Sequence, residues 1–557
     1  MNIKLLLSVS LLPVTVCAAN WEIYPGNSIQ EAVEETVNGD TVVIHEGLYQ
    51  ESVVLHGKTI TIGSQFLMDG DTSHIYETAI EPDTTRPDTQ SCFVYCYDEQ
   101  PGGRLVGLSL WNGRGTLLNT TLGPERYGGG IYADSASLSI EWCHIESCVA
   151  DVAGGLWAQG WAAWDSSVAL QLTVDHCLFY DCHATFHQGN FVSAGGGVYA
   201  NQVMLRLSNT VFDSDTCTGF GGGLIANPYF YVDSCEFRNC QGIIGGGADV
   251  SGNYGHVADC LFDGNSSSEH NADHLMFDGQ YDLVTRCVFR NGLSQGSAIV
   301  SLGYQSRFVG NVVEDNTSTM FTGVYLDGSS YVGEIAYNIF RRNASPLGGT
   351  LYCYQGSRNR VHHNIFEDNR SDSLGWGSVL VCMGGRPALD SNIFRGNNGT
   401  TISINYPPLN IIHAENNYWG DPSGPYHPTL NPGGQGDTLL SDSVLFIPWL
   451  TAPPDTTMPN NVRDREHPVI ARTWELADLY PNPFNSSLQI VLAGFTGSDF
   501  EITLHNLLGQ IVDVIARGPL TGGHFTYQAP AYLASGVYFV KASDHQRIQT
   551  RKVVLIK

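Results

Sequence analysis

Residues 232–250 read VDSCEFRNCQGIIGGGADV, and the phrase returns in both directions along the chain. Upstream stand VDHCLFYDC (174–182) and GGGVYA (195–200); downstream come VADCLFDGN (257–265), VTRCVFRNG (284–292), IAYNIFRRN (335–343) and LDSNIFRGN (389–397). The residue two places after each Cys or Asn forms a series: Ile145, Phe179, Phe212, Phe237, Phe262, Phe289, Val313, Phe340, Phe366, Phe394 and Trp419, with Leu110 as an earlier member. Its first two steps are 34 and 33 residues and the rest 24 to 28. Self-similarity at this period is the mark of a solenoid. The units carry no helical periodicity and no L-x-x-L-x-L frame. They offer short β-rich runs such as FYVDSCEF and VLVCMGG, broken by Gly, Asn, Asp and Ser. One unit therefore reads as one turn of a parallel β-helix, with coils stacked about 4.8 Å apart and equivalent residues above one another.

Stacking sorts the phrase into columns. Cys143, Cys177, Cys235, Cys260 and Cys287 share a slot that becomes Asn311, Asn338, Asn364, Asn392 and Asn417, with Thr210 as the exception. A second slot holds Cys148, Cys182, Cys240, Asn265, Asn316, Asn343, Asn369 and Asn397. An Asn in such a column can bond to its neighbours above and below, and a Cys fills the same space as a small hydrophobe. C-x4-C three times over invites a metal reading, but zinc needs four converging ligands and a column spreads its thiols along a line. Structural packing is the preferred reading, disulfides between coils the next, and no metal site is predicted. The glycine runs at 128–130, 154–155, 195–197, 221–223 and 245–247 form a third column. No helix or G-K-[ST] follows them, so they read as turns and not as phosphate loops.

The remaining features bound the protein's setting. A formal net charge of −28 argues against nucleic acid, whose phosphates need clustered Lys and Arg. Residues 1–19 read as a secretory signal peptide, too short to span a bilayer, and no later segment is long enough for a transmembrane helix. Export permits disulfides, yet 14 cysteines less Cys17 leave 13, so not all can pair. The predicted organisation is a β-helix over 20–450, a Pro-rich polar linker over 451–472 and a C-terminal domain over 473–557.

Both ends carry resemblances. SIQEAVEETVNGDTVVIHEGLYQESVVLHGKTITIGS (28–64) resembles the opening of secreted right-handed β-helix proteins of the pectate-lyase-like superfamily, in which an amphipathic helix (here 29–37) covers the first coil. NNYWGDPSGP (416–425) resembles a closing coil of the same group. The implied fold is all-β: a right-handed parallel β-helix solenoid followed by a small antiparallel β-sandwich. The last segment resembles the type A C-terminal sorting domain of the type IX secretion system. It carries Y-P-N-P-F-N at Tyr480, Pro481, Asn482, Pro483, Phe484 and Asn485; L-L-G-Q with Gly509; S-G-V-Y-F-V with Gly536 and Tyr538; and a basic end around Lys552. That resemblance implies the type IX secretion machinery as partner and a Gram-negative-type bacterium. The protein is then secreted or attached to the outer surface, in many such proteins with the domain cleaved off.

The resemblance makes a polysaccharide enzyme a fair expectation, but the residues assign no catalytic set. Of five lysines (Lys4, Lys58, Lys541, Lys552, Lys557) only Lys58 lies in the β-helix, far from its centre, which weighs against lysine-based β-elimination. The N-T-D, D-D, G-H-G and R-I-K pattern of polygalacturonases is absent. The repeat is broken by two consecutive insertions: LWAQGWAAWDSS, with Trp157, Trp161, Trp164 and Asp165, and CHATFHQGNFVS, with His183, Phe186 and His187. They flank the strand near 172–179 and could wall a groove in which indoles stack on sugars; the alternative is a satellite aromatic cluster. The expected function is the binding of extracellular polysaccharide. A polysaccharide lyase or glycoside hydrolase, or an adhesin or stalk, stands as alternative. No cofactor is identified, and Ca2+ is possible.

Overall fold

The computed structural model describes residues 19–458 and 475–556, apart from 98, 122, 161–169, 186–193, 269–271, 295–298, 320–322, 327–332, 355, 373–375, 406–410, 481–483, 485–486, 494–499, 507–510, 519–523, 531–532 and 544–547. The chain divides into two compact units between Arg463 and Asp464.

The first unit is a right-handed parallel β-helix. A single coil shows the design. Leu224–Asp233 runs in the largest sheet, Glu236–Arg238 in a second and Gln241–Gly242 in a third, before a glycine turn leads into Ala248–Asn253 of the next coil. Glu236–Arg238 pairs in register with Val211–Asp213 behind it and Leu261–Asp263 ahead, all parallel. The second sheet runs from Gly47–Gln50 to Ile393–Arg395 by the same rule. Both corners flanking its strands are turned by a residue of positive φ, such as Ser234 (55°) and Asn239 (53°). Each lies immediately before a column slot. The same backbone place is taken by Trp142, His176, Asp259, Arg286 and Tyr337 in other coils, so it is the coil geometry and not the side chain that sets it.

Inside, the aromatic series stacks as rings. Phe179, Phe212, Phe237, Phe262 and Phe289 have successive centroids 5.0, 4.8, 4.7 and 4.9 Å apart, the coil spacing itself. Val313 breaks the stack, and Phe308 from the largest sheet fills the gap between Phe289 and Phe340.

The columns are hydrogen-bonded in a way that the sequence only half disclosed. Each Asn of the first slot donates from Nδ2 to a carbonyl one coil back, as Asn338 does to Phe308 (2.8 Å) and Asn364 to Ile335 (2.9 Å). Each accepts, on Oδ1, the backbone N–H of the preceding slot residue: Asn311 to Asn338 (2.8 Å), Asn338 to Asn364 (2.9 Å), Asn364 to Asn392 (3.0 Å) and Asn392 to Asn417 (2.9 Å). The thiols reach the equivalent carbonyls: Cys143 to Leu105 (3.6 Å), Cys177 to Ile140 (3.5 Å) and Cys287 to Val257 (3.7 Å). Cys and Asn thus interchange because both are donors, not only because both are small. All described cysteines are free. Burial pushes the Cys143 thiol up to about 12, which keeps it a donor.

Two members of the second slot lie outside the phrase. Asp215 takes the place between Cys182 and Cys240: its Oδ1 accepts the Cys182 N–H (2.9 Å), while its buried Oδ2 has no hydrogen-bond partner. Burial raises its carboxyl well above the usual range, so it stands as a neutral acid in an asparagine's position. Gly292 leaves the next gap, and His274 closes it. His274 Nδ1 faces Asn265 Nδ2 (3.0 Å) and Nε2 faces Asn316 Oδ1 (3.2 Å), which one neutral tautomer satisfies. Burial lowers its pKa to about 4. The second ladder ends on Asp437, whose carboxylate accepts from Asn397 Nδ2 (2.7 Å).

The helix Ile29–Glu35, two residues shorter than expected, covers the first coil. Ser28 caps it, Glu51 accepts the N–H of Ile29 and Gln30, and Ile29, Ala32 and Val33 are buried. An antiparallel hairpin, Gly115–Thr120 with Gly123–Tyr127, lies outside the repeat, as do the short helices Phe66–Asp69 and Ser73–Glu77.

The second unit is built of two antiparallel sheets. Glu475–Tyr480, Ser487–Ala493 and His524–Gln528 form one; Phe500–His505, Ile511–Gly518, Gly536–Ser543 and Ile548–Leu555 form the other. Leu488, Ile490, Ile502, Leu504, Val540, Ala542 and Val553 are buried between them. Phe484 of the Y-P-N-P-F-N motif is buried there as well, and the Tyr538 hydroxyl donates to the Ala534 carbonyl (2.9 Å). Gly536 opens its strand and Lys552 pairs with Phe539. Tyr480 ends Glu475–Tyr480; Pro481, Asn482, Pro483 and Gly509 lie outside the described residues.

Candidate functional site

The largest sheet is two-faced. Along Val198–Ser208, Leu224–Asp233, Ala248–Asn253 and Leu275–Gln280, residues such as Val198, Ala200, Leu224, Ala226, Val250 and Phe277 point into the core. Their alternates point outward and stack in files by the parallel register. Tyr199, Ile225, Asp249 and Met276 form one file, and Asn201 lies beside Asn227, as Ser251 does beside Asp278, in a second. Ala194, Phe220 and Ile244, each just before a glycine turn, are bridged to one another and form a third. Together these files enclose an open trough of about 350 Å3.

The middles of both insertions, 161–169 and 186–193, lie outside the described residues, but their neighbours in sequence can be placed. Residues 186–193 lead directly into Ala194. The segment 161–169 follows Gly160, and Gln159 pairs with Asn201 in register, accepting its Nδ2 at 3.0 Å. Trp157 sits one coil behind Tyr199 in the same outward file, but its indole is packed: it stacks on Tyr132 (4.8 Å) and meets Tyr127 edge-on (5.2 Å), inside a cluster with Val94, Val152 and Ala194. His183 lies in His183–Ala184 of the third sheet, with Nδ1 2.5 Å from Thr216 Oγ1 and Nε2 3.1 Å from Asp181 Oδ1. It does not line the trough, nor does the strand Gln171–Asp175 that the insertions flank in sequence. Trp161, Trp164, Asp165, Phe186 and His187 lie outside the described residues.

Some carboxylates of the helix pair with an arginine from an adjacent coil: Asp259 with Arg286, Asp263 with Arg290, Glu334 with Arg307, Glu367 with Arg395. Among the described residues neither Asp249 nor Asp278 has such a partner, and no lining residue is Lys or Arg. Burial, reinforced by the charge of Asp278, pushes the Asp249 carboxyl up to about 7. A groove carboxyl that changes charge near neutrality is a mark of functional sites. Sequence inspection missed both residues, for each sits alone in its own coil with no motif around it.

A second cluster lies in the first coils. Ligand atoms of Glu46, His74 and Glu77 all fall within 4.8 Å of one another, and His74 bridges Glu46 (3.0 Å) and Asp69 (3.1 Å). Its ring nitrogens are thus already engaged by carboxylates.

Residues 232–379 match the family described as right handed beta helix region, and residues 478–557 match the secretion system C-terminal sorting domain. No curated protein matches the chain. Among solved structures, a mannuronic acid specific polysaccharide family 6 lyase from human gut microbiota aligns with 72% of this chain and 86% of its own, at 11% identity and a TM-score of 0.30. A superposition that loose carries no argument about chemistry. Family matches and coordinates together make the chain a right-handed parallel β-helix protein with a C-terminal secretion-system sorting domain, and hence a secreted or cell-surface protein.

Proposed function

We propose that the protein leaves the cell through the type IX secretion system and holds extracellular polysaccharide in the outer-face trough. The observation that carries this reading is the three-file lining. Tyr199 and exposed Phe220 offer ring faces for sugar C–H surfaces, and Asn201 and Asn227 offer amides for hydroxyls. The lining residues come from successive coils, so the trough crosses several strands of the sheet. Trp157 then serves as a packed support behind Tyr199 rather than as a contact.

Affinity electrophoresis of the full chain in gels containing neutral and acidic glycans tests the reading. Retardation by at least one glycan is expected, with Tyr199→Ala plus Phe220→Ala lowering affinity about 10-fold or more, from about 1 kcal/mol or more per lost sugar–aromatic contact. Retardation that the double substitution leaves unchanged would move the binding site elsewhere.

A further inference from the structure

We propose that Asp249 and Asp278 form the acid–base pair of a glycoside hydrolase acting with inversion on uncharged or amino-sugar polysaccharide. This rests on the trough being the glycan site. Asp249 lies opposite Met276 one coil on, and Asp278 stands two residues past Met276, opposite Ser251. With a coil rise of about 4.8 Å and about 3.3 Å per residue, their Cα atoms are roughly 8 Å apart. Both side chains point outward into the same trough. Roughly 6.5–9.5 Å between carboxyls is the spacing that admits a water beside the sugar.

The two environments divide the roles. Asp249 sits half-buried in the middle file between Ile225 and Met276, apolar neighbours that favour a protonated carboxyl. Asp278 is exposed at the rim, where water can reach it. In the reaction the Asp249 carboxyl gives its proton to the glycosidic oxygen as the C1–O bond breaks. The Asp278 carboxylate takes a proton from a water whose oxygen bonds to C1 from the opposite face. The products are one reducing end and one free hydroxyl, so the elements of water are consumed and no oxidant or cofactor enters. Exchange with solvent returns the proton from Asp278 to Asp249.

Charge selects the substrate class. An acidic lining without a cation disfavours a polyuronate, and neither insertion (161–169 or 186–193) contains Lys or Arg. A β-elimination would need a cation beside the substrate's own carboxylate. Neutral chains avoid that repulsion, and amino-sugar chains are attracted.

The test incubates the full chain with xylan, mixed-linkage glucan and chitosan, with polygalacturonate and alginate for contrast. It measures reducing ends, absorbance of unsaturated uronates, and binding to the same panel. Reducing ends from a bound neutral or amino-sugar glycan are expected, and proton NMR should show the new anomer inverted. Asp249→Asn and Asp278→Asn should each lower the rate about 10^3-fold while binding to neutral glycan and circular dichroism stay unchanged. Binding without reducing ends, or full activity in Asp249→Asn, overturns the hydrolase and leaves the binding reading standing. Absence of binding to every glycan removes both. A retained anomer overturns the role of Asp278 as base, and unsaturated uronate products overturn the substrate class.

Discussion

From Cys143 to Cys287 the first corner slot holds sulfur in every coil but one, where Thr210 stands; from Asn311 to Asn417 it holds a carboxamide. Both donate to the carbonyl one coil back, at 3.5–3.7 Å from sulfur in Cys143, Cys177 and Cys287 and 2.8–2.9 Å from nitrogen in Asn338 and Asn364. Only the carboxamide also accepts the N–H of the coil before it. Rings stack in both halves, Phe179 through Phe289 and Phe340 through Trp419, and the amide half adds a ladder that ties each coil to both neighbours.

Breaking the ladder should have the largest effect. Asn338→Ala strands the Asn311 N–H and the Phe308 carbonyl, both buried, and is expected to destabilise the solenoid by about 3–4 kcal/mol in urea unfolding. Next comes His274, the plug between the halves of the second ladder. Its folded pKa of about 4 lies below the unfolded value of about 6.5, so the unfolded chain binds the proton first. Stability is full above pH 6.5 and falls by about 3 kcal/mol on acidification to pH 4, a loss that His274→Gln should flatten. Gly292→Asn alone should clash, because a Cβ there meets His274 Nε2 at 2.9 Å. Combined with His274→Ala it should rebuild the ladder and recover stability lost by His274→Ala, a coupling read from the double-mutant cycle.

Asp215→Asn should act in the opposite direction. The folded-state carboxyl titrates well above its unfolded value, so stability is greatest below pH 4 and declines as pH rises toward the folded pKa. Asparagine removes that decline and supplies the missing donor, for an expected gain of about 1 kcal/mol or more at pH 7 that vanishes below pH 4. The smallest effect belongs to Cys287→Ala, about 1 kcal/mol, because the Cys287 N–H keeps its bond to Asn311. Equal losses for Asn338→Ala and Cys287→Ala would erase the distinction between the halves.

The helix was legible because its residues repeat: one slot occupant predicts the next, and the ring series and glycine turns follow from the same period. The exceptions were hidden for the same reason. Asp215 and Gly292 do not spell the phrase, and His274 reaches the ladder from outside the slot, so only coordinates connect it to Asn265 and Asn316. The trough was illegible because its residues are single letters in ordinary strands, assembled by register alone. The insertions attracted notice by breaking the period, yet Trp157, the residue of that set with the most contacts described, is spent on packing. Trp157 and His183, the described residues of that set, are not among those that line the trough.

The amide ladder also has a direction. Every N–H from Cys287 to Asn392 is answered by the coil that follows it in sequence. Several sulfur-bearing slots share it: the N–H groups of Cys182 and Cys240 are also answered from the coil ahead, by Asp215 and Asn265. A slot N–H is therefore satisfied only once the next coil has closed, and the two ladders end at Asn417 and Asp437, ahead of the sorting domain in sequence.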